Sequence, residues 1–301
     1  MAKTRIIGLA AVGLWAGLAM AGPAAADGLA KFEKTLKPQI PPDTLTYKSA
    51  KALGDDGFIL EGVVITTPPS DPAKGDKSEP VTIKTITVED LDFDSIEKNE
   101  APLNAKLRLE GVAVGNNPGG GIDLKQMTGI DKLSADFQLE YKLDTDKETF
   151  TLSRLELNLN GLGRLELSMI VDGVSAEAIT KPDAAMNDAE LRTASVVYDD
   201  KSLLGKAVPI AAVMQGSDAK AVIEMAKTTL DAMKEGQSED SKKAIDSLVA
   251  YLQDYEKPKG PLRITLNPPD KASMASLEKA KTADEIVKAL GLTVNYPGKR
   301  S

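Results

Sequence analysis

Three Ser-x-x-Lys spacings are the features of this sequence that come closest to a catalytic motif. On a helix, this spacing can place a serine nucleophile beside a lysine base. The partner motifs Ser-Asp-Asn and Lys-Thr-Gly do not occur, and lysine is abundant enough to produce such spacings by chance. We therefore assign no catalytic residue. The pairs are Ser95 with Lys98, Ser217 with Lys220, and Ser276 with Lys279.

Alternating carboxylates suggest a calcium loop at Asp90, Asp92 and Asp94. An EF-hand loop also needs glycine at its sixth position and glutamate at its twelfth. Ser95 and Ala101 occupy those positions, so the match fails and we predict no metal site. A second acidic group fails in the same way and is typical of a charged hairpin turn; it consists of Asp144, Asp146 and Glu148.

Histidine and cysteine are both absent from the chain. Catalysis by Ser-His-Asp or Cys-His groups is therefore impossible, as are disulfides and zinc, copper or haem sites that need these ligands. We predict a protein that is not an enzyme and that holds no cofactor.

The elements that must position any site are strands in which apolar residues fall on every second position. This alternation gives a sheet one apolar face and one polar face. The phase of the alternation changes at Glu110–Gly111 and again before Leu155, which indicates bulges that curve the sheet. Consecutive strands of this kind form an antiparallel meander. The clearest segments are 103–114, 135–144 and 150–174.

Helical periodicity replaces the alternation after residue 200. Gly205 and Pro209 predict a kinked first helix, and Thr282 with Glu285 predicts a capping box before the last one. Residues 262–266 read as an edge strand because prolines flank them. We predict the class α+β, a long curved antiparallel β-meander with amphipathic helices packed on its apolar face. The predicted regions are a signal peptide (1–26), a sheet region (27–200) and a helical region with two short terminal strands (201–301). We expect the helical region to pack on the same sheet, so that the two regions form one domain.

The N-terminus has the three parts of a bacterial secretory signal. Lys3 and Arg5 precede an uncharged apolar run over 6–21, and small residues at 24–26 supply a cleavage pattern. The net charge of −8 becomes −10 without these two basic residues. We expect a bacterial protein that is periplasmic or secreted, has no stable membrane span after cleavage, and does not bind nucleic acid.

The strand segments and the helices after Asp200 resemble a group of bacterial envelope proteins that handle lipids, the AsmA-like, LolA-like and TULIP-type proteins. Those proteins combine a signal peptide, a long curved sheet of leucine-alternating strands and helices beside its concave face. The resemblance implies a hydrophobic ligand held between sheet and helices. It rests on LNAKLRLEGVAV (103–114), ADFQLEYKLD (135–144) and FTLSRLELNLNGLGRLELSMIVDGV (150–174).

Two hypotheses about function follow. The first is a soluble, non-catalytic periplasmic protein that binds a lipid-like ligand between sheet and helices. The second is a cell-envelope interaction or assembly protein, whose core is fully packed and whose partner is another envelope protein. Methionines on the helices either fill a core or line a pocket for a flexible acyl chain. The candidate ligand-binding residues are Leu139, Tyr141, Leu157, Leu167 and Met169 on the sheet, and Val222, Ile223, Met225, Leu230 and Met233 on the helices.

Overall fold

The computed structural model describes residues 27–66, 80–114, 133–180, 189–273 and 282–298. The predicted signal peptide and most of the loops at 67–80 and 115–121 lie outside these ranges. The chain divides into two compact units, Met1–Ile122 and Asp123–Ser301. This boundary falls inside the predicted sheet region, and the helices after residue 200 belong to the second unit with the strands that precede them. The class is α+β with antiparallel strands, as predicted.

The first unit is an antiparallel sheet with a helical segment at its N-terminal end. β3 pairs with both short strands β1 and β2 and also with β4, which in turn pairs with β5. The strands are β1 (Leu45–Thr46), β2 (Ser49–Ala52), β3 (Phe58–Ile65), β4 (Val81–Leu91) and β5 (Asn104–Val114); the helices are α1 (Gly28–Lys31), continued by a π-helical turn (Phe32–Leu36) and a 3-10 turn (Lys37–Gln39), and α2 (Phe93–Glu97).

Aromatic packing fixes the helical segment on the apolar face of the first unit. The ring of Phe32 stacks on that of Phe58 with centroids 4.4 Å apart, and the centroid of Phe93 lies 6.5 Å from that of Phe58. Such contacts add to the area that the rings bury. The result is a packed apolar core in this unit, made of Phe32, Leu45, Phe58, Leu60, Val63, Ile83, Val88 and Phe93.

The bulge predicted at Glu110–Gly111 does not occur in the pairing of β5 with β4. Thr85 pairs with Glu110 and Thr82 with Ala113, so no extra residue is inserted between these pairs. Gly111 has φ 62°, a conformation that glycine adopts at little cost.

The second unit contains a longer antiparallel sheet. Its strand order is β6–β7–β8–β9–β10–β12, and β11 pairs with β9. The bulge predicted before Leu155 is confirmed by a register shift between Leu152 and Leu155. The strands are β6 (Leu133–Asp144), β7 (Thr149–Leu159), β8 (Gly163–Asp172), β9 (Glu190–Asp200), β10 (Leu262–Leu266), β11 (Ala272–Ser273) and β12 (Leu292–Asn295).

The prediction that residues 262–266 form an edge strand is wrong. Arg263 pairs with Val197 on β9 and with Asn295 on β12, so β10 is an interior strand. The flanking Pro261 and Pro268 lie outside the strand and remove no donor from its interior. The edge strand at this side of the sheet is β12, which lies next to β10.

Side-chain caps set the limits of the helices in the second unit. Asp218 accepts a hydrogen bond from the Ala221 N–H (2.8 Å). The capping box of Thr282 and Glu285 is confirmed, and Gly291 ends that helix in the left-handed conformation. The helices are α3 (Ala176–Thr180), α4 (Leu203–Met214), α5 (Ala219–Ala232), α6 (Glu239–Gln253) and α7 (Ala283–Leu290).

A tyrosine cluster packs α6 against the end of the sheet. Tyr251 of α6 lies 6.3 Å from Tyr198 of β9 and 5.1 Å from Tyr296, measured between ring centroids. Burial raises the pKa of Tyr198, Tyr251 and Tyr296 above the usual value. α6 also contacts β12 and α5, and α5 contacts α4. None of the helices in the described ranges has the length and apolar composition needed to cross a membrane.

Candidate functional site

The register of β6 to β9 aligns the alternating apolar residues in rows across the strands. Directly paired residues of antiparallel strands project to the same face, so these rows form one continuous apolar surface. The five sheet-side residues predicted from the sequence all lie on it. The rows are Phe137, Leu157, Leu165 and Tyr198; Leu139, Leu155, Leu167 and Val196; and Tyr141, Leu152, Met169 and Ala194.

This surface is open at one end. Leu157 is 38% exposed and its pairing partner Leu165 is 42% exposed. The middle row is half-buried, whereas Leu143 and Leu152, toward the other end, are buried. We call the open part, which consists of Leu139, Tyr141, Leu155, Leu157, Leu165, Leu167 and Met169, the leucine face.

The opposite face of the same strands carries a lattice of charged side chains. Glu156 lies 4.0 Å from Arg154 and 3.9 Å from Arg164, and Arg164 also approaches Glu166 at 3.5 Å. A one-residue slip in register would exchange these charges with the leucines. The charged lattice therefore helps to fix which side of the sheet presents the leucine face.

An ion-pair cluster anchors the charged face at the far end of β8. The Asp172 carboxylate accepts hydrogen bonds from Arg192, from Lys271 at 3.0 Å and from the Thr149 hydroxyl at 3.0 Å. Burial disfavours the charged carboxylate, but these hydrogen bonds outweigh it and lower the pKa of Asp172. The cluster joins β7, β8 and β9 and the segment before β11.

The helix-side candidates lie on α5 and just after it. Ile223 is buried and Val222 and Leu230 are half-buried, but Met225 is 70% exposed and Met233 is also exposed. In the part of the chain that the structure describes, the extensive contacts of α5 are with α4 and α6 and not with a strand.

The helix that begins beside the leucine face is α4. The Leu162 carbonyl, in the turn between β7 and β8, accepts hydrogen bonds from the N–H groups of Ser202 (2.9 Å) and Leu203 (3.1 Å). The buried Asp200 carboxylate caps α4 by accepting from the N–H groups of Leu203 (2.7 Å) and Leu204 (3.0 Å). This turn lies at the same end of β7 and β8 as the most exposed leucines.

α4 itself is almost entirely apolar, yet much of it meets solvent. Lys206 is its one charged residue, and Val213 and Met214 are 75% and 83% exposed. Leu155, Leu165 and the apolar end of α4 were not among the residues predicted from the sequence. Leu155 and Leu165 had the same alternation signal as the chosen leucines, and α4 had an almost entirely apolar composition.

One of the residues considered for metal binding, Asp92, has a structural role. Asp92 accepts hydrogen bonds from the N–H groups of Ser95 (3.1 Å) and Leu103 (2.9 Å), so it caps α2. Ser276 lies outside the described residues. Within the described ranges, no group of three or more acidic side chains is placed to hold a metal ion.

A protein family described as "Uncharacterized protein" matches residues 156–297, which lie in the second unit. Comparison with curated proteins gives no match.

Proposed function

We propose that this protein is a non-catalytic periplasmic or secreted bacterial protein that binds a hydrophobic, lipid-like ligand on the leucine face. The observation that carries the proposal is the exposure of Leu157 and Leu165, which pair across two adjacent strands in the middle of the sheet. Apolar side chains exposed in contiguous rows mark sites that bind ligands or partners. An aliphatic chain fits rows of leucine that offer few polar groups.

Binding would come mainly from apolar area removed from water. Each buried methylene contributes about 0.8 kcal/mol, so an acyl chain lying across several rows gains enough to offset the loss of its own freedom. The charged lattice on the opposite face offers no comparable surface.

The helices would complete the site. In this proposal α4 is the element that covers the ligand, because it begins at the turn beside the most exposed leucines. Gly205 and Pro209 within it supply a point at which the helix can bend. The exposed Val213 and Met214 would then become part of the cover when ligand is present.

The test is native mass spectrometry of the protein purified from the periplasm, with organic extraction of a parallel sample. We expect a stoichiometric adduct whose extracted component is lipid-like. A bare protein mass that stays unchanged after incubation with mixed envelope lipids would contradict the proposal.

Two substitutions test whether the ligand binds on the leucine face. Leu157→Arg should abolish the adduct because it puts a charge in the middle of the apolar rows. Leu53→Arg is the matched control, since Leu53 lies in the first unit and is also 38% exposed. Equal loss of ligand in both folded variants would exclude the leucine face as the site.

A second candidate function is that of an envelope interaction protein without a ligand. It is favoured by the exposed apolar side chains at the end of α4 and on α5, namely Val213, Met214 and Met225. A photoreactive amino acid at Met214 would distinguish the two functions in intact cells. Cross-linking to one envelope protein, together with a bare mass of the purified chain, would support this candidate over the first.

A further inference from the structure

A cleft of about 760 Å³ lies in the second unit between α6, α7 and β12. One wall is the whole of β12 with Gly291, and the other walls are the first two turns of α6 and one side of α7. It is separate from the leucine face, because none of the leucines of that face lines it.

Hydrogen bonds hold the two helical walls together. Asp284 of α7 accepts from the backbone N–H of Ser238 (2.7 Å), from the Ser238 hydroxyl (2.9 Å) and from the Ser241 hydroxyl. The Ser241 bond is the largest cause of the lowered pKa of Asp284. α6 and α7 therefore form a fixed rim opposite β12.

The backbone of β12 offers hydrogen-bonding groups to this cleft. The Pro261 carbonyl accepts from the Gly298 N–H, and the Asn267 N–H donates to the carbonyls of Leu290 and Gly291. The backbone N–H and C=O groups of the odd-numbered residues of β10 thus point toward β12. The Leu266 carbonyl points the other way, toward Thr193 of β9.

The pairing register then decides which groups of β12 face outward. Arg263 pairs with Asn295 and Thr265 with Thr293, so Thr293 and Asn295 direct their N–H and C=O groups toward β10. In an antiparallel ladder the alternate residues direct theirs the opposite way. The N–H and C=O groups of Leu292 and Val294 therefore face away from β10, and β12 pairs with no other strand in the described ranges.

We propose that this cleft binds an extended polypeptide segment, which adds as a further strand along β12. Addition of a strand to an exposed sheet edge is a general mode of peptide recognition, in which backbone hydrogen bonds supply affinity and alternate side chains enter pockets. Leu292 and Val294 offer two donors and two acceptors to such a segment. A lipid chain would leave these groups unpaired, so the cleft favours peptide over lipid.

The residues that line the cleft indicate which peptide sequences it can bind. Ala244 and Val287 are apolar, and charges of both signs surround them. Successive side chains of a strand point to opposite faces, so the cleft suits a peptide that places an apolar side chain at alternate positions. The charged rim residues are Asp240, Lys243, Glu285 and Lys288.

The test selects random linear dodecapeptides, displayed on phage, against the purified protein. Enriched peptides are synthesised with a fluorescent label, and their affinity is measured by polarisation. Val294→Pro removes an outward N–H and keeps the ladder to β10, whereas Val294→Ala makes a similar loss of packing and keeps the N–H. We expect Val294→Pro to weaken binding about tenfold relative to Val294→Ala.

NMR of the backbone amides supplies an independent readout on the unmodified chain. The amides of Leu292 and Val294 should shift and gain protection from exchange when the peptide is added. Leu157→Arg should leave peptide affinity unchanged, which separates this proposal from the lipid-binding one. Failure to enrich any peptide, equal binding to both Val294 variants, or amide shifts confined to the leucine face would each overturn it.

Discussion

The apolar sheet faces of the two units differ in what covers them. In the first unit, the helical segment from Gly28 to Gln39 closes the face, and Phe32 stacks on Phe58 within a core of fully buried side chains. In the second unit, the rows around Leu157 and Leu165 keep much of their area in contact with solvent. Both faces arise from the same alternation in the sequence.

The comparison shows that alternation specifies an apolar face but does not specify its cover. The phenylalanine rings of Phe32, Phe58 and Phe93 meet in the covered core. The open face is mostly leucine, although its rows also contain Phe137 and Tyr141. Rigid rings fill a fixed core well, whereas flexible aliphatic side chains adapt to a ligand of variable shape.

The largest expected effect is a difference in the free energy of unfolding between substitutions on the two faces. Phe58→Ala should lower the free energy of unfolding by about 3–5 kcal/mol, because it opens a cavity in a packed core. Leu165→Ala should cost less, about 1–1.5 kcal/mol, because its side chain is already partly hydrated. Urea denaturation followed by circular dichroism measures both. Similar losses for the two variants would mean that the leucine face is covered in solution.

A smaller effect tests the charged side of the second unit. Asp172→Asn should cost about 2 kcal/mol at neutral pH, because it weakens hydrogen bonds to Arg192 and Lys271. The pKa of Asp172 is lowered in the folded state, so its contribution is present above the unfolded pKa of about 3.9 and is lost as the pH falls below that value. Unfolding curves between neutral and acidic pH should converge for the two proteins, and a constant gap would contradict this origin.

The smallest effect sharpens the comparison within one helix of the second unit. Met225→Ala should change the free energy of unfolding by less than about 0.5 kcal/mol, because the side chain is mostly exposed. Ile223→Ala, two residues earlier in α5, is the internal control and should cost at least about 2 kcal/mol. A large loss for Met225→Ala in thermal unfolding would show that this methionine is packed in solution.

Local signals in the sequence predicted most of the local structure, although the bulge predicted at Glu110–Gly111 is absent from the pairing of β5 with β4. The turn over 145–148, the bulge before Leu155 and the capping box at Thr282 depend on neighbouring residues, and the structure contains all three. The sheet-side candidates also fell on one face, because alternation alone determines on which side of a strand a residue lies.

Long-range placement was not accessible from these patterns. The amphipathic face of α5 predicts burial but not a partner, and its partners are α4 and α6. The strand at 262–266 read as an edge because of its flanking prolines, although pairing with residues near 295 makes it interior. Such contacts bring together segments that are distant in the chain, and the periodicity of a single segment does not specify its partner.

The tyrosine cluster gives the second unit an optical signature. Tyr198, Tyr251, Tyr255 and Tyr296 all lie beside or within α6 and the end of the sheet, and each has a raised pKa, chiefly because of burial. Trp15 is the only tryptophan, so residues 27–301 absorb near-ultraviolet light mainly through tyrosine. During alkaline titration, the phenolate absorbance of these four tyrosines should therefore appear late and abruptly, when α6 leaves the sheet, and this late phase reports the opening without any label.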